Sequence, residues 1–209
     1  MHNQGVINKM IRTKLIVATS STSRINLLKK SKIKFLVAKP KMNEETVKKK
    51  YPQKNNVKKL TQHLAKQKSI SVSKDKKNQY VLGCDTMVLI NKKRMDKAKN
   101  LKEAKKSLKK LSGKKHKIIT SLCLCKNKKV VWEHTETTTV EVRKLNSAEI
   151  NYYFKQNGKQ ILKSVGCYQA EKMGPFVFSK INGDFYNVLG LPIIQLFKHL
   201  RKYNILQTL

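Results

Sequence analysis

Tyr80-Val81-Leu82-Gly83-Cys84-Asp85-Thr86-Met87-Val88-Leu89-Ile90 is the most strand-like run in the chain. It is continuous and apolar enough for a strand buried on both faces at the centre of a sheet. Asp85 breaks the pattern. A buried carboxylate is costly unless a cation, a metal or hydrogen-bond donors meet it. The chain has only 12 acidic residues against 47 basic ones, so an aspartate at the heart of a strand is a candidate base or metal ligand. An aspartate satisfied by backbone N–H groups fits the local sequence equally well.

Upstream, residues 14–18 form a short, β-branched apolar run that predicts a buried strand. Thr19-Ser20-Ser21-Thr22-Ser23-Arg24 follows, a hydroxyl-rich helix start that Ile25, Leu27 and Leu28 continue as an apolar face. Residues 34–38 predict a second strand, ended by Pro40, and residues 57–71 a basic helix with Val57, Leu60, Leu64 and Ala65 on one side. Downstream, Asn91-Lys92-Lys93 predicts a turn. Asn100 with Glu103, and Asn146 with Glu149, predict capping boxes for helices ending at Gly113 and Gly158. Residues 117–125 and 130–142 predict two long strands joined at Lys126-Asn127-Lys128, and residues 159–175 a loop. A strand over 176–181, a turn at Asn182-Gly183-Asp184 and a helix over 192–203 complete the pattern. The fold class is α/β: one domain over residues 13–209, a mixed sheet flanked by helices, behind a loose extension at 1–12 in which Met10 is an alternative start.

At 209 residues the chain can bury a substantial core. No apolar run approaches the roughly 20 residues of a membrane span, and none near the start suits a signal peptide. Four cysteines without a C-x-x-C pair predict reduced thiols and a cytoplasmic protein. The net charge of +35 comes from 42 Lys and only 5 Arg, spread through the chain with no basic tail. That distribution predicts a solvated Lys surface rather than a nucleic-acid reader, which would favour Arg. Such a field still draws polyanions non-specifically at low salt, and draws an anionic substrate in the same way.

The strand-to-helix turn at 18–24 offers free N–H groups, a partial positive charge, hydroxyls and the Arg24 fork, all suited to phosphate. It lacks the glycines of a Walker loop, and an ordinary Ser/Thr cap explains it by itself. Joined with Pro40-Lys41-Met42-Asn43-Glu44, Leu64-Ala65-Lys66-Gln67-Lys68, Gly83-Cys84-Asp85-Thr86 and Met95-Asp96-Lys97, it makes a familiar ordered set. Residues 111–120, Val165-Gly166-Cys167-Tyr168-Gln169-Ala170-Glu171 and Asn187-Val188-Leu189-Gly190-Leu191-Pro192 complete that set. Together these segments resemble the Maf family of nucleoside triphosphate pyrophosphatases, historically called septum-formation inhibitors.

The resemblance implies a single bilobal domain with a central cleft, and a homodimer acting on nucleoside triphosphates. It implies Asp85 as proton acceptor, and Ser21, Arg24, Lys68 and Lys97 as substrate-binding residues. It further implies Glu44 with Asp85 as ligands of a divalent cation, Mg²⁺ or Mn²⁺. Ser23, Thr86 and Glu171 fall at positions tied to base selection. Ser23 stands where many members have Arg, Thr22 and Ala98 where they have Pro, and Glu171 where the pyrimidine-preferring branch has Gln. Ser112, His116 and Thr120 match a further segment, and His116 is expected to be structural.

The expected reaction splits the α–β phosphoanhydride, giving monophosphate and diphosphate, a house-cleaning activity linked through the family to division arrest. One rival is an idle basic protein that binds nucleic acid or regulates division, with salt-sensitive polyanion binding and no turnover. Another is a general phosphatase, which would release orthophosphate.

Overall fold

The computed structural model describes residues 15–206, so the extension at 1–12 lies outside the described residues. Seven strands form one mixed sheet in the order β2-β1-β3-β5-β6-β7, with β4 added on β3. The strands are β1 (Leu15–Ala18), β2 (Leu36–Ala38), β3 (Tyr80–Ile90), β4 (Lys93–Met95), β5 (Lys115–Lys126), β6 (Lys129–Val142) and β7 (Phe178–Asn182). The helices are α1 (Thr22–Lys30), α2 (Glu44–Lys50), α3 (Val57–Ser73), α4 (Leu101–Leu111), α5 (Ser147–Asn157), α6 (Ala170–Val177), α7 (Phe185–Val188) and α8 (Ile193–Lys202), with a 3₁₀ turn η1 (Gly158–Lys163).

The apolar run Tyr80–Ile90 is β3, with the bounds its sequence predicts. Antiparallel β5 covers one edge of it from Tyr80 to Leu89. The opposite edge is shared. Parallel β1 pairs Leu15 with Tyr80 through Ala18 with Gly83, whereas antiparallel β4 pairs only Val88 to Ile90. Among the described residues, 84–87 therefore have a strand on one side alone, and their other edge opens onto the cleft described below.

The core divides at the same place. Leu15, Val17, Leu28, Leu82, Cys84, Leu122, Leu196 and Leu200 pack together on one side of the break. Val88, Leu108, Leu111, Ile118, Val140, Tyr153 and Ile161 form the second cluster. Each fully buried aliphatic side chain contributes about 1.5–3 kcal/mol of transfer free energy. Gly83 is needed where α3 crosses β3, because a Cβ there would run into the Ala65 carbonyl and the Ser69 amide.

Several local expectations change. Asn91 and Lys92 both have positive φ (47° and 60°), the geometry of a tight two-residue hairpin loop, so the predicted turn continues into β4. The β5–β6 hairpin closes in the same way on Asn127 and Lys128. The Asn146 capping box is complete. At α4 it is displaced by one residue: Asn100 accepts from the Glu103 amide, but the Glu103 carboxylate takes its bond from the Lys99 amide. Residues 159–175 are not one loop: η1 opens the stretch and most of α6 closes it, with only 164–169 irregular between them. Beside Gly174 and Pro175, α6 is kinked at Met173 (φ −107°, ψ 28°). The predicted strand at 176–181 accordingly begins at Phe178.

Candidate active site

The cleft at the break in β3 has a volume of about 1030 Å³. Its floor is the Asp85–Val88 part of β3, one wall is the β1–α1 turn, and α2, β4 and the η1–α6 segment complete it. Ser21, Ser23, Arg24, Glu44, Lys68, Asp85, Thr86, Lys97 and Glu171 all line it. Residues up to 150 positions apart in sequence thus face one space.

Ser21 caps α1, its hydroxyl oxygen accepting from the Arg24 amide at 3.5 Å. The hydroxyl hydrogen and the first amides of α1 stay available to an anion. The Arg24 guanidinium runs across the cleft floor. Its Nε donates to the Gly190 carbonyl (2.9 Å), one terminal nitrogen to the Cys84 carbonyl (3.1 Å) and the other to Thr86 Oγ1 (2.7 Å). Cys84 can offer that carbonyl because, among the described residues, β1 stops short of it and β4 begins beyond it. Three of the five N–H groups are committed to protein, and the remaining two can serve a ligand.

Alternation along β3 sends Asp85 to the opposite face from Cys84 and Thr86, toward α3. There Lys68 Nζ donates to Asp85 Oδ1 at 2.6 Å and meets Glu44 Oε2 at 2.8 Å. The Lys68 and Asp85 side chains are only 11% and 6% exposed. Glu44 lies in the first turn of α2, where Asn43 accepts from the Thr46 amide. Its Oε1 is held by Lys48 at 3.0 Å. Burial opposes ionisation of Glu44, but Lys68 and then Lys48 outweigh it and bring its pKa to about 2. Glu44 is therefore charged across the whole neutral and mildly acidic range.

Lys97 follows β4 and retains solvent contact at the cleft. Desolvation first, and the Arg24 charge second, lower its pKa from the ordinary lysine value. Glu171 is exposed in the first turn of α6, and Ser23 is exposed in α1. Among the described residues no three His, Cys, Asp or Glu side chains converge as a metal centre.

His116 is 2% exposed and off the cleft lining. It bonds through Nε2 to the buried Tyr168 hydroxyl at 2.7 Å, tying β5 to the segment that leads into α6. Burial lowers its pKa to about 4 from 6.5. The unfolded chain therefore binds the extra proton between pH 6.5 and 4, and the folded one does not. The stability is fully present above pH 6.5 and is lost as pH falls from there to 4, by on the order of 3 kcal/mol. Thermal melts from pH 7.5 to pH 4.5 should show this loss, and His116→Gln should flatten it; an equal slope in the variant would contradict the assignment.

Sequence reasoning missed four contributors. Lys48 sits one helical turn from Glu44, a signal that appears only once residues 44–50 are recognised as α2. Arg94 on β4 also lines the cleft, and its being one of only 5 arginines was a compositional hint. The Gly190 carbonyl anchors Arg24 across 166 positions, and Gln169 lines the η1–α6 wall; both fall in segments that carry the resemblance, but nothing local ties either side chain or carbonyl to the cleft.

A phosphate-suited helix start, a buried lysine-paired aspartate and a second carboxylate in one cleft define a protein built to handle a polyanionic ligand. The family model described as Maf-like protein matches residues 14–203, and the chain belongs to that family. It is 35% identical over 193 residues to the "dTTP/UTP pyrophosphatase" of Aquifex aeolicus, covering 92% of this chain and 97% of that protein. The "7-methyl-GTP pyrophosphatase" of Brucella abortus is 32% identical over 190 residues, with 90% and 96% covered. The "Nucleoside triphosphate pyrophosphatase" of Legionella pneumophila (strain Lens) is 33% identical over 191 residues, with 91% and 94% covered.

Proposed function

We infer that the protein is a nucleoside triphosphate pyrophosphatase, a hydrolase that splits the α–β phosphoanhydride to release the monophosphate and diphosphate. The observation that carries the reading is the Asp85–Lys68–Glu44 constellation in a cleft that also holds Arg24 and Lys97. Phosphoryl transfer needs positioning and neutralisation of oxygen charge more than covalent chemistry. The free α1 amides, the Ser21 hydroxyl and the two uncommitted N–H groups of Arg24 bind phosphate oxygens. Lys97, already partly desolvated, and Lys68 grip the rest of the triphosphate. Asp85 orients the attacking water and takes its proton at a carboxylate oxygen.

Two carboxylates, Glu44 and Asp85, suit Mg²⁺ or Mn²⁺, which bind through one or two carboxylates with water and substrate phosphates completing the shell. Such an ion would neutralise phosphate charge and improve diphosphate as a leaving group. The same reading carries a cytoplasmic homodimer, whose two +35 subunits associate better as salt screens them.

Base choice rests on Glu171. A carboxylate only accepts hydrogen bonds, whereas a Gln amide also donates. Guanine offers N1–H and an exocyclic amine to an acceptor, and N7-methylation adds a positive charge that a carboxylate favours. Glu171 thus selects guanine-type or N7-methylated triphosphates over UTP and dTTP. Glu171→Gln should shift the kcat/KM ratio of GTP or 7-methyl-GTP to UTP by about tenfold toward UTP; an unchanged ratio would remove Glu171 from base selection. The reaction itself is tested by product analysis on a panel of canonical and modified triphosphates with Mg²⁺. Diphosphate with monophosphate is the expected pair. Orthophosphate would indicate a general phosphatase, and no turnover a binding protein.

A further inference from the structure

We propose that Lys68 keeps the two carboxylates of the site closed to a divalent cation until a polyphosphate draws its ammonium away, so that cation and nucleotide favour each other's entry. The inference rests on the pyrophosphatase reading and adds a linkage between the two ligands of that site.

The geometry makes the competition direct. Lys68 Nζ sits 2.6 Å from Asp85 Oδ1 and 2.8 Å from Glu44 Oε2, on one oxygen of each carboxylate. The other Glu44 oxygen is held by Lys48 at 3.0 Å. Glu44 therefore has no oxygen free of a lysine, and of the four carboxylate oxygens only Asp85 Oδ2 has no hydrogen bond or ion pair among the described residues. A cation that needs both carboxylates must evict an ammonium. The two positive charges repel most strongly where exposure is low, and the side chains here are 11% and 6% exposed. An ammonium stripped of both carboxylates would in turn be buried and unpaired, which is also costly.

A polyphosphate resolves both problems. Its oxygens offer Lys68 a new anionic partner, and the vacated carboxylates become available to the cation. Because the two ligands relieve the same obstacle, each raises the affinity of the other by the same factor. An isolated divalent ion meets a site already neutralised by protein cations. Lys68 is on this account a positioning residue with two successive partners, the carboxylates and then the phosphates.

The test is Mn²⁺ binding to the nucleotide-free protein, read from the free-Mn²⁺ paramagnetic resonance signal, for wild type, Lys68→Met and Lys48→Met. Lys68→Met should bind Mn²⁺ about tenfold more tightly than wild type although its turnover falls. Lys48→Met frees one Glu44 oxygen but leaves Asp85 paired, so it should gain distinctly less. If Lys68→Met does not fold, Lys68→Gln is read in its place, with the same direction expected. Mn²⁺ affinity unchanged or weakened in the folded Lys68 variant, or a gain no larger than that of Lys48→Met, would overturn the proposal. Diphosphate release by wild type alongside that result would sink this inference alone. Absence of diphosphate from wild type would sink the functional reading instead, whatever the Mn²⁺ comparison gives.

Discussion

Asp85→Asn is expected to lower kcat for nucleoside triphosphate hydrolysis by about 10³-fold while the protein stays folded. The amide matches the carboxylate in shape, so the packing of β3 against α3 survives. What it loses is the ability to take a proton from water and to offer two anionic oxygens. Lys68 keeps Glu44 as a partner at 2.8 Å, so the substitution does not strand a buried ammonium. The thermal midpoint should accordingly move by only a few degrees, on the order expected for about 1 kcal/mol. Kinetics and melting together separate the roles. Full activity in a clean preparation would show that Asp85 is a structural partner of Lys68 and nothing more.

Arg24→Lys carries the second large effect, despite conserving charge. Arg24 bonds the Gly190 carbonyl, the Cys84 carbonyl and Thr86 Oγ1 with three nitrogens of one planar group. An ammonium cannot reach all three acceptors in that fixed geometry and still face a phosphate. Polar groups left unpaired in a partly buried site cost about 1–3 kcal/mol each. The variant should therefore lose both stability, by about 2–4 kcal/mol, and kcat/KM, by about 10²-fold. Thr86→Val, which removes one acceptor and leaves the two carbonyls, should show a smaller part of the same loss. A Lys variant with wild-type melting temperature and kinetics would mean that the Arg24 bonds contribute nothing to the site.

These residues differ in how far the sequence alone reveals them. Asp85 was legible because it violates a local rule, a charge inside a buried strand. Asn146 and Glu149 were legible because a capping box is complete within four residues. The stretch 159–175 was not, because its two helical pieces are short and Gly174-Pro175, which signals a break, lies inside α6 rather than after it. Residues 44–50 escaped for another reason: α2 buries none of its residues, so no apolar periodicity marks it, and its helix is held by the Asn43 cap and lysine–glutamate pairs. The resemblance located Glu44, Lys68 and Lys97 as site residues, and the cleft gathers them all. Their pairing was hidden, since a Lys68 ammonium between Asp85 and Glu44 depends on the spacing of α2, α3 and β3. The opening at residues 84–87 was hidden too, because it arises from two different strands sharing one edge of β3.

Hydrolysis of a preferred triphosphate in ¹⁸O-labelled water, with mass analysis of both products, identifies the phosphorus that water attacks. A water held by Asp85 and directed at the α phosphorus leaves the heavy oxygen in the monophosphate, and the diphosphate departs unlabelled. Label in diphosphate, or labelled orthophosphate in place of diphosphate, would contradict the account and assign the cleft a different reaction.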